Sequence, residues 1–193
     1  MKFNKDVFNF TSRFNLEEGY FDHQSNLHGI KHTYRVMTHC LILGHRLGHE
    51  HEGKVAFCAA YIHDMARKND RTCHGHGRWS AETKLPIFTP FFNSIGISGN
   101  DIEAIKTAVT WHSLPDEIEE GHKFDRTVAL LKDADALDRV RLNPAYFDLH
   151  YLRFPDTKNL VQYAEKLYRA TNDSDFKLFS DYLSLAVELV GQD

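Results

Sequence analysis

The chain has 193 residues, of which 42% are hydrophobic and 26% charged, with 11 glycines and 5 prolines. That composition suits a globular chain with its own core and excludes collagen-like and low-complexity readings. Lys and Arg number 23 against 27 Asp and Glu, a net charge of −4, and no basic run stands out, so a nucleic acid polymer is not the expected partner.

The chain opens on Met1-Lys2-Phe3-Asn4-Lys5-Asp6, which has no apolar stretch of the secretory type. From residue 36 onward nearly every apolar segment has helical spacing. Val36, Cys40, Leu43 and Leu47 recur on one face, and Val55, Ala59 and Ile62 continue the habit. The longest unbroken apolar run, Val55–Ile62, has eight residues, far short of a membrane span. Phe88, Phe91 and Phe92 lie beside prolines and read as a packed loop. Ile102, Ile105 and Val109 form a third stripe, with Asn100 and Glu103 marking a helix start. Asp125 begins a fourth helix, carrying Val128 and Leu131. Leu160, Tyr163, Ala164 and Leu167, then Phe176, Phe179, Leu183 and Val187, complete the C-terminal part. Pro86, Pro90, Pro115, Pro144 and Pro155 mark bends and loops. The expected fold is all-α: a single-domain bundle of about seven or eight helices over residues 1–193.

Cys40, Cys58 and Cys73 form no CxxC pair, which fits a reducing compartment, so the expected location is the cytoplasm. The unusual count is 13 histidines, residues that titrate near neutral pH and bind metals. Several polar residues sit where a helix stripe calls for an apolar one. His32 lies one turn before Val36. His63 and Asp64 close the helix that begins near Val55. His112 follows Val109 by three residues, and Asp135 follows Leu131 by four. Imidazoles and carboxylates pointed inward are expensive unless paired or bound to metal. Taken singly, each reads as a satisfied core histidine or an ordinary salt bridge. Together they suit a divalent cation: imidazole nitrogen and carboxylate oxygen are ligands for Mn, Fe or Zn.

With these residues in view, the chain resembles the HD-domain superfamily of metal-dependent phosphohydrolases. The resemblance rests on the run from His28 through His32 to Val36, on the doublet His63-Asp64, and on Asp135 within Asp133-Ala134-Asp135-Ala136-Leu137-Asp138. It covers about residues 25–142, with the helices of 156–190 expected to pack on that core. It implies that His32, His63, Asp64 and Asp135 bind one metal. Some members bind a second metal through two further histidines. Here His112 fits the later position, and His76 or His74 the earlier. His76 and His112 are thus expected to hold a second ion or to act in catalysis. The cofactor is one or two divalent ions drawn from Mn, Fe, Mg and Zn.

The implied chemistry is hydrolysis of a small phosphate ester or anhydride, with a nucleotide as the expected partner. Hydroxide formed near neutral pH attacks phosphorus, and a histidine protonates the leaving group. Arg67, His28 and Arg141 are candidates to contact the phosphate, with a salt bridge to Asp70 as the plainer reading of Arg67. Two rivals stand beside this one. A di-iron oxygenase on the same scaffold would use a Tyr and a Glu ahead of the first His, for which Tyr20 and Glu18 are the residues present. A non-catalytic nucleotide-binding domain would keep the site without turnover. No membrane partner is expected, and the oligomeric state is open.

Overall fold

A computed structural model describes residues 5–142 and 147–191. Pro144 and residues 1–4, on which expectations were stated above, lie outside the described residues. The described residues are all-helical, without strands, and hold nine α-helices. In chain order these are α1 Lys5–Thr11, α2 Ile30–Arg46, α3 Glu50–Ile62, α4 His76–Thr83, α5 Leu85–Ser94, α6 Asn100–His112, α7 Asp125–Leu137, α8 Val161–Asn172 and α9 Phe179–Val190. Short 3-10 turns cover Glu18–Tyr20, Asp138–Arg141, Leu149–Tyr151 and Pro155–Leu160.

α2 is the axis of the fold. The apolar spacing suggested a one-sided helix, but every residue from His32 to Gly44 is buried. A helix covered on all sides must satisfy its polar residues internally, which is where the site begins. Its broadest packing is with α3, and α7, α8 and α9 cover its other faces. The α2–α3 approach depends on two glycines. A Cβ on Gly44 would lie 2.7 Å from the Gly53 Cα, and a Cβ on Gly53 would lie 2.9 Å from the Gly44 Cα.

The segment read as a packed loop around Phe88, Phe91 and Phe92 is helix α5, a correction to the sequence reading. Pro86 sits in the first turn of α5, where its missing N–H costs nothing, and Pro90 lies inside the helix. Aromatic packing offsets that internal proline. Phe91 meets the Phe14 ring at 4.9 Å, Phe88 meets Tyr61 at 5.3 Å, and Phe14 meets Phe57 on α3 at 4.6 Å. Such pairs add about 0.5–1.5 kcal/mol each beyond the area they bury. α6 and α7 start at Asn100 and Asp125 as expected, although neither start carries a side-chain cap.

α4 and α6 pack closely because residue 77 is glycine. A Cβ there would come within 2.2 Å of the Val109 carbonyl oxygen and 3.0 Å of the His112 ring. This approach puts the start of α4 against the end of α6. On the other side, Asp133 is fully buried and accepts from the backbone N–H of Arg153 and Phe154 and from the Thr157 hydroxyl. It staples residues 153–157 onto α7. The start of α4 and the ends of α3, α6 and α7 border a cavity of about 670 Å³.

Candidate metal centre

Four imidazoles and two carboxylates converge at the floor of that cavity. His32 comes from the first turn of α2, and His63 and Asp64 from the end of α3. His76 opens α4, His112 closes α6, and Asp135 lies in the last turn of α7. All are buried except Asp135, whose side chain is 24% exposed toward the cavity.

Each imidazole has its Nδ1 engaged on the side away from the cluster. His63 Nδ1 lies 2.6 Å from the Ala60 carbonyl, His76 Nδ1 2.6 Å from that of Cys73, and His112 Nδ1 2.6 Å from that of Val109. His32 Nδ1 lies 2.7 Å from Asp138 Oδ2. A carbonyl or carboxylate only accepts, so all four Nδ1 atoms carry hydrogen. The Nε2 atoms therefore face inward, as outer partners arrange the rings of metal-binding histidines. Inside, His63 Nε2 lies 3.3 Å from His32 Nε2, and His76 Nε2 lies 2.9 Å from His112 Nε2. Two acceptor nitrogens this close repel each other unless a proton or a cation lies between them. The donor set fits a divalent metal: His32, His63 and Asp135 form one group whose ligand atoms lie within 4.8 Å of one another, and His63, Asp64 and His112 form another.

Asp64 spans the two sides. Its Oδ2 lies 3.5 Å from both His32 Nε2 and His63 Nε2, while its Oδ1 lies 3.0 Å from His76 Nε2 and 3.8 Å from His112 Nε2. Burial opposes the charge on Asp64, but the surrounding histidines, His63 foremost, hold its pKa well below the usual carboxylate range. Asp135 is lowered in the same way: burial opposes its charge and the His32 contact, 3.3 Å from Oδ1, outweighs it. Burial and the Arg141 charge work against protonation of His32, yet Asp135, Asp138 and Asp64 together raise it to about 9. His63, dominated by burial, falls to about 3. The field at His32 thus favours positive charge among three carboxylates, which is the charge a divalent cation would supply.

Of the two earlier candidates, His76 points into the cluster. His74 is exposed and tied to Ser113, its Nδ1 to the carbonyl at 3.0 Å and its own carbonyl to the hydroxyl at 2.8 Å. Arg67 lines the cavity and donates from Nε to Asp64 Oδ1 at 2.9 Å rather than pairing with Asp70. Asp70 instead holds His28, with Nδ1 at 3.0 Å, and accepts from the Ser25 hydroxyl at 2.5 Å. Burial dominates at His28 and lowers its pKa to about 4, so the ring is neutral near pH 7. Arg141 lines the cavity and is held by Asp138 and by the Leu27 carbonyl. Tyr20 and Glu18 are not among the cavity-lining residues, and Tyr20 packs on Phe88 at 5.3 Å. The sequence reading gave Asp138 no role and paired Asp70 with Arg67, where the structure pairs them with His32 and His28. Asp138 was within reach of it: three residues past Asp135, one helical turn on, it shares that face.

The chain was compared with protein families, curated proteins and solved structures. The HD domain family matches residues 29–140, more than half of the chain. No curated protein and no solved structure gives a significant match. The matched span runs from the residue before α2 to the turn after α7 and so contains all six converging residues. The chain therefore belongs to the HD-domain superfamily, a group of metal-dependent phosphohydrolases.

Proposed function

We propose that the protein hydrolyses a small phosphate ester or anhydride, a nucleotide being the class that best suits the cavity, with two divalent ions held by the cluster. The observation that carries the reading is the inward orientation of four Nε2 atoms around Asp64 and Asp135. His32, His63, Asp135 and Asp64 Oδ2 would hold one ion, and Asp64 Oδ1, His76 and His112 the other. A bound divalent ion lowers the pKa of water and draws negative charge from a phosphoryl group. The choice among Mn, Fe, Mg and Zn follows from the mixed nitrogen and oxygen donors and not from one diagnostic residue.

The chain's own residues do the rest. The guanidinium of Arg67, anchored to Asp64, faces the cavity and orients a phosphoryl oxygen. His28 is held by Asp70 through Nδ1, which leaves Nε2 as the ring atom available to substrate. A phosphate placed beside it favours the charged ring, and that ring then donates its Nε2 proton to the leaving oxygen. Arg141 backs the same wall. A volume of about 670 Å³ falls within the range of small-molecule sites, roughly 300–1,000 Å³, which supports a substrate larger than a bare phosphate.

The test is phosphate release from nucleotides and phosphomonoesters by metal-stripped protein resupplied with each ion, beside an Asp64→Ala control. Metal-dependent release that the control abolishes is the expected result. Tight nucleotide binding without turnover for any ion would instead support the non-catalytic domain.

A further inference from the structure

Six cationic side chains line the cavity: Arg67, Arg71, Lys132, Arg139, Arg141 and Arg153. Four are tied down. Arg67 pairs with Asp64, and Arg141 with Asp138. Lys132 donates to the Asp116 carbonyl and pairs with Glu117. Arg153 pairs with Glu117 and Asp133. Arg71 and Arg139 differ. Among the described residues neither guanidinium has a carboxylate partner or a hydrogen-bonded carbonyl.

Both are nevertheless placed. The Arg139 guanidinium lies over the Tyr151 ring, 5.3 Å from its centroid. A ring face holds a cation in position without neutralising it. Tyr151 belongs to the turn just before residues 153–157, which Asp133 staples to α7. The Arg71 backbone is pinned on both sides: its N–H donates to Asn69 Oδ1 at 2.9 Å, and its carbonyl accepts from Arg67 Nη1 at 3.3 Å. Arg67 in turn touches Asp64, and Arg139 follows Asp138, which touches His32. The chain thus places two guanidiniums without a carboxylate partner on the wall of a concave space whose floor is the His/Asp cluster, and the other carboxylates of that wall, Asp70 and Asp148, face His28 and His150. Uncompensated charge on a concave wall concentrates potential, and the planar fork of Arg matches phosphate oxygens. The cavity has the volume of about twenty waters at ~30 Å³ each. A single phosphoryl group over the cluster leaves most of it, and both of these cations, unused.

We infer that the substrate carries a second anionic group of the phosphate type, separate from the one over the cluster, and that Arg71 and Arg139 bind it. This rests on the cluster being the seat of the reacting phosphoryl group.

The test uses compounds that do not turn over. The Mn²⁺-loaded protein is titrated calorimetrically with propylphosphonate and with a series of alkane bisphosphonates whose spacers run from two to six carbons. At least one bisphosphonate is expected to bind tenfold or more tighter than propylphosphonate. In the Arg71→Gln/Arg139→Gln double variant that advantage falls below threefold, while propylphosphonate affinity changes less than twofold. The single variants each lose part of the advantage, and their melting temperatures serve as the folding control. No advantage at any spacer length, or an advantage that survives in the double variant, overturns the inference and leaves the cluster reading standing. Propylphosphonate binding that is absent, or indifferent to Mn²⁺, overturns the cluster reading and this inference with it.

Discussion

Asp138 Oδ2 lies 2.7 Å from His32 Nδ1, and the same buried carboxylate receives the Arg35 guanidinium. His32 is therefore aimed at the cluster by a residue that does not itself reach it. Replacing Asp138 with Asn keeps the shape and removes the charge. Loss of such an outer partner typically costs 10–100-fold in metal affinity, so Mn²⁺ affinity of Asp138→Asn is expected to fall by about that factor. Asp138→Ala leaves Arg35 buried and unpaired and should cost about 3–5 kcal/mol of stability. Calorimetric titration with Mn²⁺ and urea unfolding read the two effects separately. Unchanged affinity in Asp138→Asn would remove the residue from the site.

The contact between α4 and α6 offers a structural handle on ion number. Gly77→Ala puts a Cβ where the Val109 carbonyl now lies 2.2 Å away, so the helices must part. That separation is expected to move His76, on the short helix α4, away from His112, while His32, His63 and Asp135 are supplied by α2, α3 and α7. Bound metal, measured after dialysis, is expected to fall from two ions per chain to one. Overpacking of this kind costs about 1–3 kcal/mol, so the variant should remain folded. Two ions retained at full affinity would contradict the division of ligands by Asp64.

Metal should also stabilise the fold, because ions that bind only the folded chain shift its equilibrium by mass action. At free metal one hundred times the dissociation constant, the gain is about 2.7 kcal/mol per site. Thermal unfolding in excess chelator and in excess Mn²⁺ should differ accordingly, and His63→Ala should erase most of the difference. Coincident melting curves for the unaltered chain would argue against a metal centre.

His39 gives a pH prediction apart from the cluster. It is fully buried, its ring meets Tyr163 at 5.5 Å, and neither ring nitrogen has a partner among the described residues. Burial lowers its pKa from 6.5 to about 4. The unfolded chain thus binds a proton at pH values where the folded chain does not. His39 has no effect on the pH dependence above about 6.5 and weakens the fold progressively as pH drops from there toward 4. At about 1.36 kcal/mol per unit, the full loss is roughly 3 kcal/mol. His39→Leu should flatten the pH dependence of the unfolding free energy, read by urea titration, by that amount. At pH 7 it should be no less stable, since it removes two buried polar atoms without partners. A parallel pH profile in the variant would show that His39 is not the responsible group.

Two kinds of information met in this chain. The spacing of Val36, Cys40 and Leu43, of Ile102, Ile105 and Val109, and of the C-terminal apolar residues marks helices, because a 3.6-residue period is written locally. Prolines misled around residues 85–94, since their local cost was legible and the offsetting Phe14, Tyr61 and Phe57 rings were not. The outward signs of the cluster were legible too: His32, His63, Asp64, His112 and Asp135 interrupt apolar stripes, and a break in a stripe is a local feature. Whether His74 or His76 turns inward depends on Gly77 admitting α6 against α4, a contact 32 residues apart in the chain. The roles of Asp138 and Asp70 likewise depend on partners, His32 and His28, that lie 106 and 42 residues away. That Arg71 and Arg139 have no carboxylate partner among the described residues is visible only in the folded chain. Residue type and period marked most of the helices and the residues of a candidate metal centre. Long-range packing decided which nitrogen faces which oxygen, because orientation is set by the neighbours a side chain meets and not by those it follows.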